Sequence, residues 1–595
     1  MPGGLLQLVS YGQANTILNG NPSKTFFKAV YKPYTPFGMQ RFRIDYQGER
    51  HLSFDAPVTM DFKIPRYAEL LWDTYVVVNL PDIWSPLYYR SDITGAPQYV
   101  PYEFQWIKNL GFTMIRQVTI YSGGSTLAQY SGEYMMNAVR RDEGGKRVLL
   151  GRMVGNEQRL NDPKTFNGGN YPNAVYDINC ETTGIEPSIR GRQLYIPLMA
   201  WFCYSSKTAL PLIALQYQEV HIKIEFRSTK ELFTILNVAQ TENVNTCPTV
   251  PAPTAPIGTG VNKNHATFPS APMTTADGYA QPYKLTLERK APNSASVTDQ
   301  MWRFIQPPTG FPLTVEDNNN MYLNRRNDWN ADVHLISTYI FLGEEERRTI
   351  AAQCHNILIK TQFEWDFLNV TGSRRVNIPS RDMVSSYMWR FRRSDANLRN
   401  QWNNYQNYPW ENVPPQRPAA ITTIEPGLGK SAVSLTANGT NLNLYWTGCR
   451  NIENRRDILV DMAILCGQDY RENILAAGVY SYVEKWFRTT GIAKNGLYCY
   501  NFCINSNRRA YQPTGAQNCN KWKWITFEFN TIEPPRNPCT DTNSVDVLCD
   551  PSGAIIGVRK DLWTLNKYNY DLRVFEERYN MIEIVGGRIG LLFAR

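Results

Sequence analysis

The sequence predicts an all-β protein of stacked antiparallel sheets. Three observations carry this reading. Apolar residues recur with a period of two in separate stretches, turn signals punctuate those stretches, and helical patterns are few and short. In the first stretch Leu52, Phe54, Ala56, Val58, Met60, Phe62 and Ile64 alternate with polar residues or Pro57. In the second, Val220, Ile222, Ile224 and Phe226 alternate with His221, Lys223, Glu225 and Arg227. In the third, Val333, Leu335, Tyr339 and Phe341 repeat the pattern with Ser337 as the small member. A strand with one apolar face needs an opposing apolar layer, which a second sheet supplies.

The turn signals include Ser122-Gly123-Gly124-Ser125 and Asp550-Pro551-Ser552-Gly553. Two short helices are expected. One runs from Ser131 to Arg141. The other starts after Gly343, where Glu344, Glu345 and Glu346 suit the positive end of a helix dipole and Glu344 sits four residues before Arg348. Three consecutive glutamates point in three directions on a helix, so a solvated helix start is preferred to a metal or catalytic cluster. The stretch 241–283 is rich in Pro, Thr, Asn, Ala and Gly, and reads as a long excursion between two β domains. A second loop-like stretch covers 410–443.

At 595 residues the chain is too long for one ordinary domain. Its 62 basic and 53 acidic residues leave a mild +9 with no dense basic block, which argues against direct nucleic-acid binding. The basic runs are Arg140-Arg141, Arg455-Arg456 and Trp389-Arg390-Phe391-Arg392-Arg393. The last has the makings of a phosphate clamp with aromatic stacking, but an alternating strand with its arginines in solvent is preferred. The 11 scattered cysteines are too sparse for a disulfide framework. Residues 1–12 lack a basic start and a long apolar run, and no apolar stretch approaches the ~18 residues that span a bilayer. Folding in a reducing cytosol is therefore expected, without a membrane span.

Motifs for chemistry fail on inspection, so no catalytic, cofactor or metal residues are assigned. Gly427-Leu428-Gly429-Lys430-Ser431 ends like a phosphate loop, but Ile424 occupies the required first glycine and an alternating stretch follows. Cys499 and Cys503 would stand about 13 Å apart on a strand, too far to share a zinc ion. Cys354-His355 has no partner pair at zinc spacing, and Cys539 and Cys549 flank a loop where a bridge is open but undetermined. The run Asp541 to Asp546 lacks the central glycine of a calcium loop. Of the five histidines, His51, His221 and His334 fall on the polar faces of alternating strands; His265 and His355 complete the set. Asn369-Val370-Thr371 and Asn438-Gly439-Thr440 are sequons, and Asn438 and Asn369 are the candidate glycosylation sites.

Several blocks resemble one family. Gly3-Gly4-Leu5-Leu6-Gln7-Leu8-Val9-Ser10-Tyr11-Gly12, then Gly20-Asn21-Pro22 and Thr25-Phe26-Phe27-Lys28-Ala29-Val30-Tyr31, resemble the opening of major capsid proteins of nucleocytoplasmic large DNA viruses. Leu194-Tyr195-Ile196-Pro197-Leu198, Trp201-Phe202-Cys203, Ala209 to Leu215, Tyr339 to Arg348, and Asn580 to Phe593 with Gly586-Gly587 extend the likeness over both halves. The resemblance implies two tandem eight-stranded antiparallel jelly rolls with long loop insertions and a few short helices. The expected division is an N-terminal arm and first jelly roll over 1–235, a connecting excursion over 236–325 and a second jelly roll over 326–595. It further implies a homotrimeric, pseudo-hexagonal capsomer made in the host cytoplasm. Such capsomers tile an icosahedral virion shell, meeting neighbouring capsomers and minor capsid proteins over an inner membrane. The arm, 1–31, is expected at the capsomer base. The competing readings are a minor capsid or vertex paralogue and a carbohydrate-binding or carbohydrate-cleaving β-sandwich protein.

Overall fold

The computed structural model describes the chain except for residues 1–2, 86, 90–98, 172–173, 179–181, 240–287, 308–321, 510–511, 594–595 and most of 416–451 and 536–565. The expectations for 241–283, for Gly427 to Ser431, for Asn438, Cys539 and His265, and for most of the Asp541 to Asp546 run lie outside the described residues.

Sixteen strands form two sandwiches with the same connectivity. In the first, β1 (Phe37–Asp45), β2 (Val58–Lys63), β3 (Leu70–Leu80), β4 (Ile115–Ser122), β5 (Ser125–Ser131), β6 (Arg192–Pro197), β7 (Val220–Phe226) and β8 (His334–Leu342) build two facing sheets. One has the order β1-β8-β3-β6 and the other β2-β7-β4-β5, all neighbours antiparallel. In the second, the strands are β9 (His355–Phe367), β10 (Ser373–Ile378), β11 (Met383–Arg393), β12 (Leu459–Cys466), β13 (Asp469–Ala476), β14 (Leu497–Asn501), β15 (Ile525–Thr531) and β16 (Tyr570–Val585). They repeat the arrangement as β9-β16-β11-β14 and β10-β15-β12-β13. First strand beside last, in two interleaved sheets, is jelly-roll wiring. The fold is a double jelly roll.

The local rules hold where one face meets a core. On β7, Val220, Ile222, Ile224 and Phe226 are buried and the residues between them face outward. Gly123 and Gly124 have φ of +53° and +86°, the paired left-handed conformation that a two-residue hairpin between β4 and β5 requires. Gly586 and Gly587 do the same between β16 and the short strand Arg588–Leu591. The 52–64 alternation is only partly a strand. Val58–Lys63 pairs as β2, while His51–Leu52 pairs separately with Trp329–Asn330, and Pro57, which has no N–H to donate, lies between them.

Two expectations need correction. The stretch after 240 does not connect the two sandwiches. The described residues on either side of it belong together: Arg289–Lys290 pairs with Phe233–Leu236, and β8 then inserts between β1 and β3 of the first sandwich. Without β8, one edge of each of those strands would lack hydrogen-bond partners, so a strand drawn from the assumed second domain completes the first. The passage between sandwiches is instead the helix Glu344–Ala352, followed by β9. The second correction concerns His334. It is 4% exposed, not on a solvated face, because β8 is covered on both sides; its Nδ1 lies 2.7 Å from the Asp332 carbonyl oxygen.

Each sandwich has its own apolar core. Met60, Phe62, Val76, Val78, Ile120, Ile222 and Ile224 belong to the first, and Trp389, Phe391, Ile464, Phe527 and Phe529 to the second. The first cluster also runs across to Met388, Leu497, Cys499 and Phe575, so the outer face of the β9-β16-β11-β14 sheet is buried against the first sandwich. Truncating a wholly buried inner residue leaves a cavity that close-packed sheets fill poorly. Ile222→Ala is expected to destabilise the first sandwich by about 2–5 kcal/mol, read as a lower denaturant midpoint at unchanged slope.

Candidate functional site

Side chains alternate across a strand, so every second residue of β11 and β16 points away from its own core. On β11, Tyr387, Trp389 and Phe391 face the second core, while Ser386, Met388, Arg390 and Arg392 face the first sandwich. On β16, Leu572 and Val574 face inward, and Arg573, Phe575 and Glu577 outward. Into the gap between the sandwiches fits the helix Gly132–Asp142, capped by Ser131, whose side chain accepts the Tyr134 N–H. Gly132 permits close approach there, because a Cβ would fall 2.0 Å from the Phe112 carbonyl oxygen.

The seam is held by buried ions. Glu133 accepts from Arg390 at 2.7 and 3.1 Å, from Arg573 at 3.1 Å and from the Tyr405 hydroxyl at 3.0 Å. Glu577 accepts from Arg141 at 3.0 and 3.1 Å, Arg508 at 2.7 Å, Ser386 at 2.8 Å and Tyr134 at 2.9 Å. Arg141 also grips Asp142 through both of its oxygens, at 2.8 and 2.9 Å. Burial alone would raise both glutamates, but Arg390 and Arg573 outweigh it for Glu133, and Arg141 and Arg508 for Glu577. Both carboxyls are held far below the usual carboxylate range. Ionised and consumed by partners, neither is poised for proton transfer; both join one sandwich to the other.

The arginines of Arg390 to Arg393 are therefore not in solvent. Arg390 is 1% exposed, and Arg393 is buried with its guanidinium carbon 3.4 Å from the Tyr568 ring centroid. Arg390 and Arg392 lie on the outer face of β11, which the first sandwich covers, whereas Arg393 is held within the second sandwich by Asp395 and the Tyr568 ring. The acidic helix start behaves as expected, with Glu344, Glu345 and Glu346 in the first turn of an exposed helix and Arg348 paired to Glu344. Asn369 lies exposed with φ of +56° between β9 and β10, so the sequon there is accessible. Cys499 and Cys503 are buried thiols, and Cys354 is exposed beside His355. His51 is exposed, and the His221 ring stacks on Tyr121. Among the described residues, no three His, Cys, Asp or Glu side chains converge on a metal-sized site.

Among the described residues, two groups of exposed apolar side chains stand out. The first is the arm before β1. It carries the short helices Gly3–Val9 and Gln13–Asn19 with no buried residue, and Phe26 and Phe27 are fully exposed. Its charges from residue 3 to 36 are Lys24, Lys28 and Lys32, with no acid among them. It touches the body where the Thr35 hydroxyl donates to Glu346 at 2.8 Å. The second lies between β13 and β14, where Tyr482, Val483, Trp486, Phe487 and Ile492 are exposed beside a cavity of about 760 Å³.

Residues 25–261 match the family model of the major capsid protein N-terminus. The chain is 32% identical over 242 residues to the major capsid protein of Phaeocystis pouchetii virus, covering 39% of this chain and 42% of that protein. It is 30% identical over 238 residues to capsid protein 1 of Acanthamoeba polyphaga mimivirus, covering 39% and 36%. The alignment thus spans about two fifths of each of these two relatives. Over the whole of both chains it is 24% identical to the major capsid protein of Paramecium bursaria Chlorella virus 1. Over these stretches the chain is similar to major capsid proteins of large DNA viruses. Its fold matches a chain of the PBCV-1 virus capsid with a TM-score of 0.53 at 15% identity, covering 96% of this chain and 100% of that one. The Faustovirus major capsid protein gives 0.54 at 11% identity, covering 98% and 96%.

Glu133, Asp142, Arg508, Arg573 and Glu577 carried no motif, because partners such as Arg141 and Glu577 lie 436 residues apart in the chain. Glu577→Gln leaves Arg141 and Arg508 buried without a full counter-charge and is expected to cost about 3–5 kcal/mol. Acid has the same target. Both carboxyls ionise more readily folded than unfolded, so below the unfolded value of about 4.3 the unfolded chain takes up protons that the folded seam refuses. The seam's contribution is complete at neutral pH and falls as pH drops below that value. Melting temperatures of the wild type should therefore decline between pH 5 and pH 3, and Glu577→Gln should show a shallower decline.

Proposed function

We propose that this chain is a shell-building major capsid protein: three copies form a pseudo-hexagonal capsomer, and capsomers tile an icosahedral virion. The observation that carries this is the pairing of a self-contained body with an uncovered arm. The two jelly rolls are locked by buried ions, which suits a wall unit of fixed shape. The arm exposes Leu5, Leu6, Leu8, Val9, Ile17, Leu18, Phe26 and Phe27, an area a monomer has no reason to leave in water. Helices of seven residues are marginal alone, so a surface to dock on is what would stabilise them.

In this reading the arm reaches neighbouring capsomers or minor capsid proteins at the capsomer base, above an inner membrane. The trimer contacts bury more than about 2,000 Å² and include the Tyr482 to Ile492 surface. The protein is made in the host cytoplasm and acts without direct nucleic-acid contact. The first jelly roll closes at β8, and the division between the two lies in the helix Glu344–Ala352.

Native mass measurement is expected to give a stable species near three times 68.3 kDa. Deleting residues 1–24 should leave that trimer intact and abolish shell formation, scored by electron microscopy. Normal shells from the deletion would sink the role of the arm, and a stable monomer would sink the capsomer.

A further inference from the structure

A cavity of about 980 Å³ opens along one side of the seam, between β4, β5 and β7 of the first sandwich and β9, β11 and β16 of the second. Four arginines line it against three glutamates: Arg116, Arg227, Arg392 and Arg573 against Glu225, Glu231 and Glu364. Each glutamate is taken. Glu225 pairs with Arg116 at 3.1 Å, Glu231 with Arg227 at 3.1 Å, and Glu364 lies 3.6 Å from Arg573 while accepting the Ser131 N–H. That leaves Arg392. Among the described residues no carboxylate pairs with it, and its one hydrogen bond is from Nη1 to the Trp402 carbonyl oxygen at 3.3 Å.

The surroundings make that isolation costly. Burial, then the neighbouring guanidiniums of Arg390, Arg573 and Arg227, push the Arg392 pKa down to about 9 against the opposing pull of Glu133. The Trp402 ring offsets part of the cost, lying 5.4 Å from the Arg392 guanidinium carbon and 5.0 Å from that of Arg227. A second group also lacks a partner: the Arg227 Nε–H is buried without an acceptor. The uncommitted guanidinium of Arg392, in a cavity whose lining side chains carry one more arginine than glutamate, calls for an anion that accepts several hydrogen bonds at once. A guanidinium fork matches phosphate oxygens in pairs.

We propose that this cavity binds a phosphate-class oxyanion, gripped by Arg392 with Arg227 beside it, so that the anion bridges the two sandwiches. The volume exceeds what a bare phosphate fills and sits in the range of small-molecule pockets, so a phosphate ester is accommodated as readily as the free ion. The site does not depend on the shell-building reading.

The test is calorimetric titration of the intact protein at pH 7 with inorganic phosphate and, separately, glycerol 3-phosphate, at ionic strength fixed with chloride. Saturable binding of at least one probe is expected. It should be abolished in Arg392→Gln, be weakened about tenfold in Arg392→Lys, which keeps the charge but loses the fork, and be unchanged in Arg375→Gln, whose exposed arginine pairs with Glu528 elsewhere. Equal affinity for the two probes assigns the site to free phosphate, and tighter glycerol 3-phosphate assigns it to an ester. No saturable heat from either probe overturns the proposal. So does wild-type affinity in Arg392→Lys, the variant that decides the matter should Arg392→Gln fail to fold.

Discussion

Glu577 sits on the last strand of the second sandwich, wholly buried, and takes hydrogen bonds from the first sandwich through Arg141 and Tyr134 and from the second through Ser386 and Arg508. Glu133 does the reverse. It belongs to the helix of the first sandwich and takes Arg390 and Arg573 from the second. Each carboxylate is thus the point where the two halves meet, and each is offered by one half to the other. Burying such charges gains little net stability over apolar residues of the same size, but a charge left without its partner is severely penalised. The seam therefore penalises every relative placement of the sandwiches except one. Apolar contact alone, as between Phe575 and Tyr134, would tolerate sliding.

That constraint explains several features outside the seam. The helix Gly132–Asp142 follows directly on β5 because Glu133 and Arg141 must reach opposite ends of the gap, and eight residues of helix span ~12 Å. The outer face of β11 carries Ser386, Met388, Arg390 and Arg392 rather than a uniform polar or apolar set, since it meets ions at some positions and the first core at others. The connection between sandwiches can be as short as one nine-residue helix because the seam, not the linker, holds their geometry.

Strand existence and turn chemistry were legible in the sequence; strand membership and facing were not. Period-two alternation identified β7 and β8, and Ser122-Gly123-Gly124-Ser125 identified its hairpin, because those signals are local. The partner of β8 is not local: nothing in residues 334–342 says that they slot between 37–45 and 70–80 rather than joining the strands that follow. The same limit hid the seam. Alternation in Trp389-Arg390-Phe391-Arg392-Arg393 shows that one face is apolar, but whether the other meets water or a second domain depends on residues such as Glu133, 257 positions away. The resemblance to capsid proteins supplied the two-roll architecture that alternation alone left open.

The body and the arm obey opposite accounting. In the body, the carboxylates and guanidiniums of the seam, Glu133 with Arg390 and Glu577 with Arg141, find their partners within the chain. The arm has apolar side chains with nothing against them and lysines with no acid nearby. Ordering such a segment costs about 1–2 kcal/mol per residue in backbone entropy, and only burial on another surface returns it. Separating the two has a mechanical consequence. In the proposed shell, a unit whose shape is fixed before it meets its neighbours would be joined to them through the arm, so the strength of the joint would be set there without disturbing the geometry of the wall.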